Sequence, residues 1–363
     1  MPNLYWIGVF MNIKSLLLGS AAALAVVSGA HAADAIVAAE PEPLEYVRIC
    51  DAYGNGYFFI PGTETCLKIG GYVRTEGKWY NAYNPADRYG TLWHTRAHLT
   101  VDTATDTEYG PLKTATVLRW DWQDGGSTTT KLIAANISLA GFTVGKLDSA
   151  YNLYAGYAGG VINDDVVYDG PYELNQITYN YDAGNGFTAV ISLEDSNSGT
   201  GATGVNGEDS SDHYAPDVVA GLGYKAGNFG FKVVGGYDSI VEEGAVKARI
   251  DGDFGVFKAF LMGGWNTDGD KLNKYASSNG AGPAKGIGWG DWAVWGGVTV
   301  PINDKLQANA QVAYTDSKIF AATANVKFNP VKNLQITPEV SYTNWDSINQ
   351  DQWAGVLRFQ RTF

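Results

Sequence analysis

Hydrophobic and polar residues alternate with a period of two along most of the chain, in segments that end in Gly, Pro, Asn or Asp. Over residues 67–79, for example, Ile69 and Val73 alternate with Arg74 and Glu76. Successive side chains of a β-strand point to opposite faces, so one face of such a segment suits lipid and the other suits water. None of these segments approaches the roughly 20 consecutive apolar residues of a transmembrane helix. The pattern predicts an all-β protein, a transmembrane antiparallel barrel.

The alternating segments predict about sixteen strands, an even number as in bacterial outer-membrane barrels. They cover residues 67–79, 91–104, 112–122, 131–139, 141–148, 174–182, 186–194, 216–226, 228–238, 244–252, 255–265, 289–300, 304–315, 318–328, 332–344 and 351–363. The alternation is weakest over 131–148, so the strands there are the least well defined.

The lengths of the connections follow a rule. The long ones, at 149–173, 195–215 and 266–288, come after the fifth, seventh and eleventh predicted strands, all odd-numbered. Connections after even-numbered strands are short, as at 301–303. A barrel with short periplasmic turns and long external loops has this asymmetry. A soluble β-sandwich gives no reason for it.

The composition supports a barrel in a membrane. Acidic residues outnumber basic ones by 38 to 25, so a nucleic-acid-binding surface is excluded as the main feature. Tyr and Trp near strand ends are typical of the aromatic girdles that meet the lipid headgroups. The last predicted strand ends at Phe363, where we expect a C-terminal assembly signal at the periplasmic interface. The expected partners are outer-membrane lipid, lipopolysaccharide and small hydrophilic solutes and ions.

The N-terminal residues 1–32 predict a secretory signal peptide. Lys14 precedes an apolar run over 16–27, and the segment Ala30–Ala32 has the A-x-A form of a cleavage site. The apolar run is shorter than a membrane-spanning helix needs. We expect translation to start at Met11 and cleavage to follow Ala32. Residues 33–66 then form a periplasmic linker and a cysteine loop, and 67–363 form the barrel.

Cys50 and Cys66 are the two cysteines of the chain, 16 positions apart. In the oxidising periplasm they most simply form a disulfide. Such a bond closes a loop and stabilises the fold by roughly 3 kcal/mol. A metal pair is the alternative, but no third or fourth soft ligand is nearby in the sequence.

Two segments closely resemble a known family. EPLEYVRICDAYG at 42–54 and FFIPGTETCLKIGGYVR at 58–74 resemble the start of mature alphaproteobacterial porins of the Brucella and rhizobial type. The architectural match extends over essentially the whole chain, although only this N-terminal motif is specific. The resemblance implies a homotrimeric general-diffusion porin in the outer membrane of a Gram-negative bacterium. It also implies that the third external loop folds into the lumen.

A loop inserted in this way predicts a constriction with two charged walls. The loop carries the acidic candidates Asp164, Asp165, Asp169 and Glu173. Inward parity places the basic candidates on the first strands: Arg74, Arg96 and Arg119, with Lys68, Lys113 and Lys131 as further members. Opposed acidic and basic walls orient polar solutes and set ion preference. The alternative is a loop that caps the mouth with solvated acids. The loop lacks the Pro-Glu-Phe-Gly-Gly motif of enteric porins, so their constriction geometry does not transfer.

Catalytic and cofactor chemistry finds little support. His94 and His98 are four strand residues apart, roughly 13 Å, which is too far to share a metal ion. Gly221-Leu222-Gly223 has the form of a dinucleotide fingerprint but lies within a strand pattern, where no phosphate-facing helix follows. No nucleophile with a histidine base stands out, so we expect neither an enzyme nor a cofactor or metal.

These observations predict passive diffusion of small hydrophilic solutes and ions through a water-filled pore. One alternative is a substrate-specific channel for a sugar or other nutrient, with saturable transport. The other is a surface adhesin or receptor on a closed barrel, which the polar external segment 195–213 would serve; this segment includes His213.

Overall fold

The computed structural model describes residues 47–81, 90–164, 167–198, 214–277 and 286–363. Sixteen antiparallel strands form one closed sheet, in which each strand pairs with the next along the chain and the last pairs with the first. The predicted barrel and its strand number are therefore confirmed. The predicted signal peptide, most of the linker, Asp165 and His213 lie outside the described residues. Within the described ranges, no helix has the length and apolar character to span a bilayer.

The strands are numbered β1 to β16 in chain order. They are β1 Cys66–Tyr80, β2 Gly90–Thr107, β3 Gly110–Gln123, β4 Thr129–Leu139, β5 Phe142–Leu147, β6 Leu174–Asp182, β7 Phe187–Glu194, β8 Asp217–Ala226, β9 Phe229–Asp238, β10 Glu243–Asp253, β11 Lys258–Asn266, β12 Trp292–Asn303, β13 Leu306–Thr315, β14 Ile319–Val331, β15 Leu334–Trp345 and β16 Gln350–Thr362. Each predicted strand corresponds to one of these, with ends displaced by a few residues.

The period-two alternation separates the outer surface from the lumen. On β2, Trp93 is 61% exposed on the outer face, whereas the adjacent His94 is 7% exposed on the inner face. The weak alternation after residue 130 has a local cause, because β4 bulges against β3. Ala134 pairs with Val117 and Leu132 pairs with Leu118, so the residue between them has no partner and shifts the parity of β4.

The connections confirm the predicted asymmetry. Those after even-numbered strands contain two to four residues. In the β4–β5 turn, both residues, Ala140 and Gly141, have positive φ, as a tight two-residue hairpin requires. The long connections 148–173, 195–216 and 267–291 follow β5, β7 and β11. They are loops 3, 4 and 6 on the external side.

The N-terminal segment forms a small hairpin beside the start of β1. A 3-10 helix, Asp51–Tyr53, is followed by the short strand Phe58–Phe59, which pairs with the first residues of β1. A disulfide joins Cys50, directly before the 3-10 helix, to Cys66, the first residue of β1, with a Cα–Cα distance of 6.0 Å. The predicted disulfide is therefore confirmed, and it ties the segment before the barrel to the first barrel strand.

Loop 3 folds into the lumen, as the family resemblance implied. It begins with the short helix α1, Ala150–Ala155, whose first turn is capped by the Ser149 hydroxyl. Tyr151 and Asn152 of α1 have no exposed surface, and Val167 later in the loop is 1% exposed. A loop that merely capped the mouth would leave such side chains in water.

Candidate functional site

The root of loop 3 is held by one buried carboxylate. Glu194, at the end of β7, accepts hydrogen bonds from the Ser149 hydroxyl at 2.8 and 2.9 Å and from the Ala150 N–H at 2.8 Å. Tyr275 of loop 6 donates its hydroxyl to the same carboxylate at 3.0 Å. Burial, and secondarily the negative charge of Glu194, raise the pKa of Tyr275 well above its ordinary value, so the phenol remains a donor. Glu194 therefore joins loops 3 and 6 to the wall.

The middle of loop 3 is held by two cations of β10. The fully buried Lys247 donates its Nζ to Asn152 Oδ1 at 2.9 Å and to the Asp169 carbonyl at 2.6 Å. Arg249 donates to the Tyr157 carbonyl at 2.6 Å. Further along, the indole N–H of Trp295 on β12 donates to the Val167 carbonyl at 3.0 Å. These bonds satisfy backbone oxygens that a loop inside a barrel would otherwise leave unpaired.

The tip of loop 3 reaches β14 and β15. Glu339 of β15 accepts the backbone N–H groups of Ile162 and Asn163. The Asn163 carbonyl accepts the Thr323 hydroxyl at 3.0 Å, and Asn325 donates to the Gly160 carbonyl at 3.1 Å. Loop 3 thus crosses the lumen and is bonded to inward-facing side chains from β7 to β15.

Four arginines line the other side of the lumen on adjacent strands, and we call them the basic wall: Arg74 on β1, Arg96 on β2, Arg119 on β3 and Arg358 on β16. Arg74 lies directly across from Arg96 in the β1–β2 pairing, and Arg119 lies across from His98. Their side chains are 15–20% exposed. The three arginines predicted from inward parity thus share one side of the lumen.

Two carboxylates sit within the basic wall. Asp121 of β3 lies 2.6 Å from Arg96 Nε and 2.7 Å from Arg119 Nε. Glu76 of β1 pairs with Arg358 at 2.5 Å and with Lys78 at 3.2 Å. These pairs hold the guanidinium groups in place. Among the residues that the structure describes, four arginines and Lys78 pair with two carboxylates here, so the wall keeps a net positive charge.

The two histidines of β2 have different environments. The His94 ring lies between the carboxylates of the wall, with Nδ1 3.2 Å from Glu76 and Nε2 2.8 Å from Asp121. His98 stacks on Tyr72, with ring centroids 4.5 Å apart. Both face the lumen, and His94 connects the two ion-pair groups of the wall.

The predicted lysines lie at different heights along the barrel wall. Lys131 of β4 lies across from Arg119 and shares its face. Lys68 lies six residues before Arg74 on β1, about 20 Å along the strand, and its Nζ is 5.6 Å from the Tyr57 ring. Lys113 is close to the periplasmic β2–β3 turn, across from Ala104. Lys68 and Lys113 therefore line the periplasmic mouth and not the level of the arginines.

The predicted acids of loop 3 have three different environments. Asp164 is half-buried and interacts electrostatically with Lys327 of β14. Glu173 pairs with Lys146 at 3.1 Å, where the loop enters β6. Asp169 is 1% exposed and accepts the Ala158 N–H at 2.9 Å and the Tyr172 hydroxyl at 2.7 Å. Its carboxylate is turned into the loop, away from water, which corrects the expectation that it lines the pore.

Sequence reasoning missed Arg358, Glu76, Asp121 and Glu339 as site residues. For Arg358 a signal was present, because it lies between the outward residues Leu357 and Phe359 of the last strand. That strand closes against β1, where Arg358 lies directly across from Glu76. The role of Glu339 had no local signal, since its partners are loop residues distant in sequence.

The fingerprint-like glycines of β8 make room for a ring of loop 3. A Cβ at Gly221 would lie 2.8 Å from the Tyr154 ring, and one at Gly223 would lie 2.7 Å from its hydroxyl. That hydroxyl donates to the Thr188 carbonyl of β7 at 2.9 Å. The motif lies inside a strand, so its glycines serve close packing and have no dinucleotide-binding context.

Comparison with known proteins gives consistent matches. A family model described as Porin subfamily matches residues 34–358. Porin Omp2b of Brucella canis is 44% identical over 97% of this chain and 100% of its own length. Porin Omp2a of Brucella melitensis gives the same identity and coverage.

Solved structures share the fold at low sequence identity. The outer membrane channel DcaP of Acinetobacter baumannii has a TM-score of 0.62 at 16% identity, over 84% of this chain and 99% of that one. The anion-selective porin from Comamonas acidovorans has a TM-score of 0.59 at 15% identity, over 83% of this chain and 100% of that one. These similarities concern the barrel architecture.

Proposed function

The chain belongs to the porin family and forms an outer-membrane diffusion channel, and from this premise we propose that its constriction lies between the basic wall and the tip of loop 3. Loop 3 is bonded to the inner faces of β7 to β15, for example to Glu194 and Glu339. The basic wall occupies β16 and β1 to β3. In the closed ring of sixteen strands β15 is the neighbour of β16, so the basic wall borders the water path beside the tip of the loop.

The basic wall is the observation that carries this proposal. Its arginines are partly exposed, and together with Lys78 they carry five positive charges against the two negative charges of Glu76 and Asp121. Asp164, at the tip of loop 3, supplies negative charge across the opening. A transverse field between them orients polar solutes and sets the balance of cation and anion flux. Asp169 and Glu173 are not part of this constriction, because one is buried and the other pairs with Lys146.

Reversal potentials in a planar bilayer under a KCl gradient test the constriction. The double substitution Asp164→Asn and Asp165→Asn removes negative charge from the loop, so we expect a shift toward anions. Arg96→Gln removes positive charge from the wall, so we expect a shift toward cations. Arg48→Gln is the matched control, because Arg48 pairs with Glu64 on the exposed N-terminal hairpin. Unchanged potentials in both lumen variants, with channels still open, would move the constriction elsewhere.

We also propose a homotrimer. Strand β5 has only six residues, about 20 Å along the strand. At a tilt near 45° it rises about 14 Å, less than the roughly 25 Å apolar band of an outer-membrane barrel. Its outward residues Phe142 and Val144 are nevertheless 52% and 45% exposed. A neighbouring protomer would cover this low part of the wall better than lipid does.

The mass of the protein–detergent complex tests the trimer. We expect three chains for the wild type, and Val144→Arg, which places a charge on this face, should favour the monomer. Leu261→Arg is the control, since Leu261 is equally outward-facing on β11 and 57% exposed. A monomeric wild type in several mild detergents contradicts the proposal.

We further propose that residues 1–32 are removed on export. The Cys50–Cys66 disulfide supports this, because such bonds persist in the oxidising periplasm. The intact mass of protein purified from outer membranes should correspond to a chain that begins at Ala33. A mass that includes the apolar run 16–27 contradicts the cleavage site.

A further inference from the structure

A separate polar chamber lies on the far side of the lumen from the basic wall. It has a volume of about 580 Å³ and lies between loop 3 and the periplasmic turns that follow β8 and β10. Strands β7 to β13 contribute to its wall, and Tyr157, Gly159 and Gly160 of loop 3 cover it. The volume is within the range of small-molecule sites, and the chamber includes no residue of the basic wall.

Two cations lie side by side in the chamber wall. Lys232 of β9 is directly across from Arg249 of β10, and both face the lumen. Like charges in directly opposed positions destabilise a sheet. Both cations face the chamber, so a negatively charged solute there would offset their repulsion.

Arg249 is fully engaged by protein groups. Its guanidinium contacts Asp251 at 2.7 to 3.0 Å, donates to the Tyr157 carbonyl at 2.6 Å and lies over the Phe260 ring at 4.3 Å. Both oxygens of Asp251 are thereby used by Arg249. Asp251 also attracts Lys232 electrostatically, but the described residues show no ion pair between the two.

Lys232 and Lys225 are the two chamber cations without an ion pair among the described residues, and of the two only Lys232 is half-buried. Among the residues that the structure describes, the Lys232 ammonium has neither an ion pair nor a hydrogen bond, and it lies 5.4 Å from the centroid of the Tyr154 ring. The other charged groups of the chamber are Lys225, Asp251, Asp253 and Lys258, of which Lys258 pairs with Asp253 at 3.3 Å. With Lys225, Lys232, Arg249 and Lys258 against two carboxylates, the chamber is net positive.

We propose that the chamber is a low-affinity binding site for small solutes that carry a carboxylate or phosphate group, with Lys232 as the recognition group. An oxyanion at the ammonium forms a charge-assisted hydrogen bond and offsets the repulsion between Lys232 and Arg249. Neutral solutes gain neither contribution. The site adds a saturable step for anionic solutes to the diffusion channel, and it is independent of the constriction proposed above because it shares no residue with it.

Single-channel current in a planar bilayer tests the site. Sodium succinate, sodium phosphate and glucose are each titrated on both sides of the wild-type channel at constant ionic strength. We expect the current to fall with succinate or phosphate along a saturating curve, whereas glucose gives no saturation. Lys232→Met should raise the half-saturating concentration about tenfold, the effect of losing one charged hydrogen bond. Lys232→Arg should restore it to within about threefold.

Lys305→Met is the matched control, because it removes the same charge from the periplasmic β12–β13 turn outside the chamber. An equal effect of the two Met variants would indicate a general field and overturn the site. A wild-type current with no saturation by either anion would overturn it as well, even if the potential shifts of the Asp164 and Arg96 variants remain. Saturation by one anion alone identifies which oxyanion binds, and saturation by glucose that Lys232→Met abolishes contradicts an anion site.

Discussion

The Glu339 carboxylate on β15 accepts the backbone N–H of Asn163 at 2.8 Å, although the two residues are 176 positions apart. The same carboxylate accepts the Ile162 N–H and, at 2.9 Å, the side-chain amide of Asn325. A single side chain of the barrel therefore satisfies two backbone donors at the tip of loop 3. The position of loop 3 thus depends on side chains of the lumen wall as well as on the loop residues.

Glu339→Ala should loosen the tip of loop 3. It leaves two loop N–H groups without their acceptor, at a cost of about 1–3 kcal/mol. We expect more open-channel current noise in single-channel recordings. Glu339→Gln keeps a carbonyl oxygen in place and should give an intermediate effect. Noise equal to that of the wild type in the Ala variant would show that other contacts suffice to hold the tip.

Gly264→Ala should displace loop 6. A Cβ at Gly264 of β11 would overlap the Trp289 ring, whose indole N–H donates to the Tyr168 carbonyl of loop 3 at 2.7 Å. Forcing such an overlap costs about 1–3 kcal/mol. The temperature at which the barrel unfolds in detergent should fall. The adjacent Gly263→Ala is the control, because a Cβ there meets no atom within 4 Å. Equal unfolding temperatures for the two variants argue against the overlap.

Lys274→Met should be among the most destabilising changes in loop 6. Lys274 and Asp217 have no exposed side-chain surface and lie 2.6 Å apart. Removing one partner leaves a buried charge unpaired, which costs about 3–5 kcal/mol. Lys271→Met, which removes an exposed lysine of the same loop from Glu243, should change stability little. Chemical denaturation of both variants measures the difference, and similar losses would contradict it.

The Tyr53 phenol should ionise at a higher pH than an ordinary tyrosine. Its hydroxyl donates to Asp106 at 2.6 Å, and this hydrogen bond raises the pKa of Tyr53 to about 12. Because the folded pKa is raised, the contact is fully present below pH 10 and is lost as the pH rises through about 12. The tyrosinate absorbance change assigned to Tyr53, taken as wild type minus Tyr53→Phe, should centre near 12. In an Asp106→Asn background it should move down toward 10; no movement would exclude Asp106 as the cause.

The alternation of side chains determined much of this protein before any tertiary contact was known. This alternation predicts the positions of the strands, their even number and the long loops after odd-numbered strands. It also predicts that Arg74, Arg96 and Arg119 face the lumen. The two-residue period of a strand is a local property, so the sequence of each segment by itself indicates which residues face lipid and which face water. The disulfide also followed, because the chain has only two cysteines.

Only the tertiary structure decided how the lumen is arranged. It placed Glu76 and Asp121 among the arginines of the basic wall, and it turned Asp169 into loop 3. The alternation specifies which face of the barrel a strand residue occupies. It does not specify the register between neighbouring strands, and it does not specify the path of a loop whose sequence has no regular alternation. The path of loop 3 depends on buried partners such as Glu194 and Glu339, and barrel closure brings these to the loop from distant parts of the sequence.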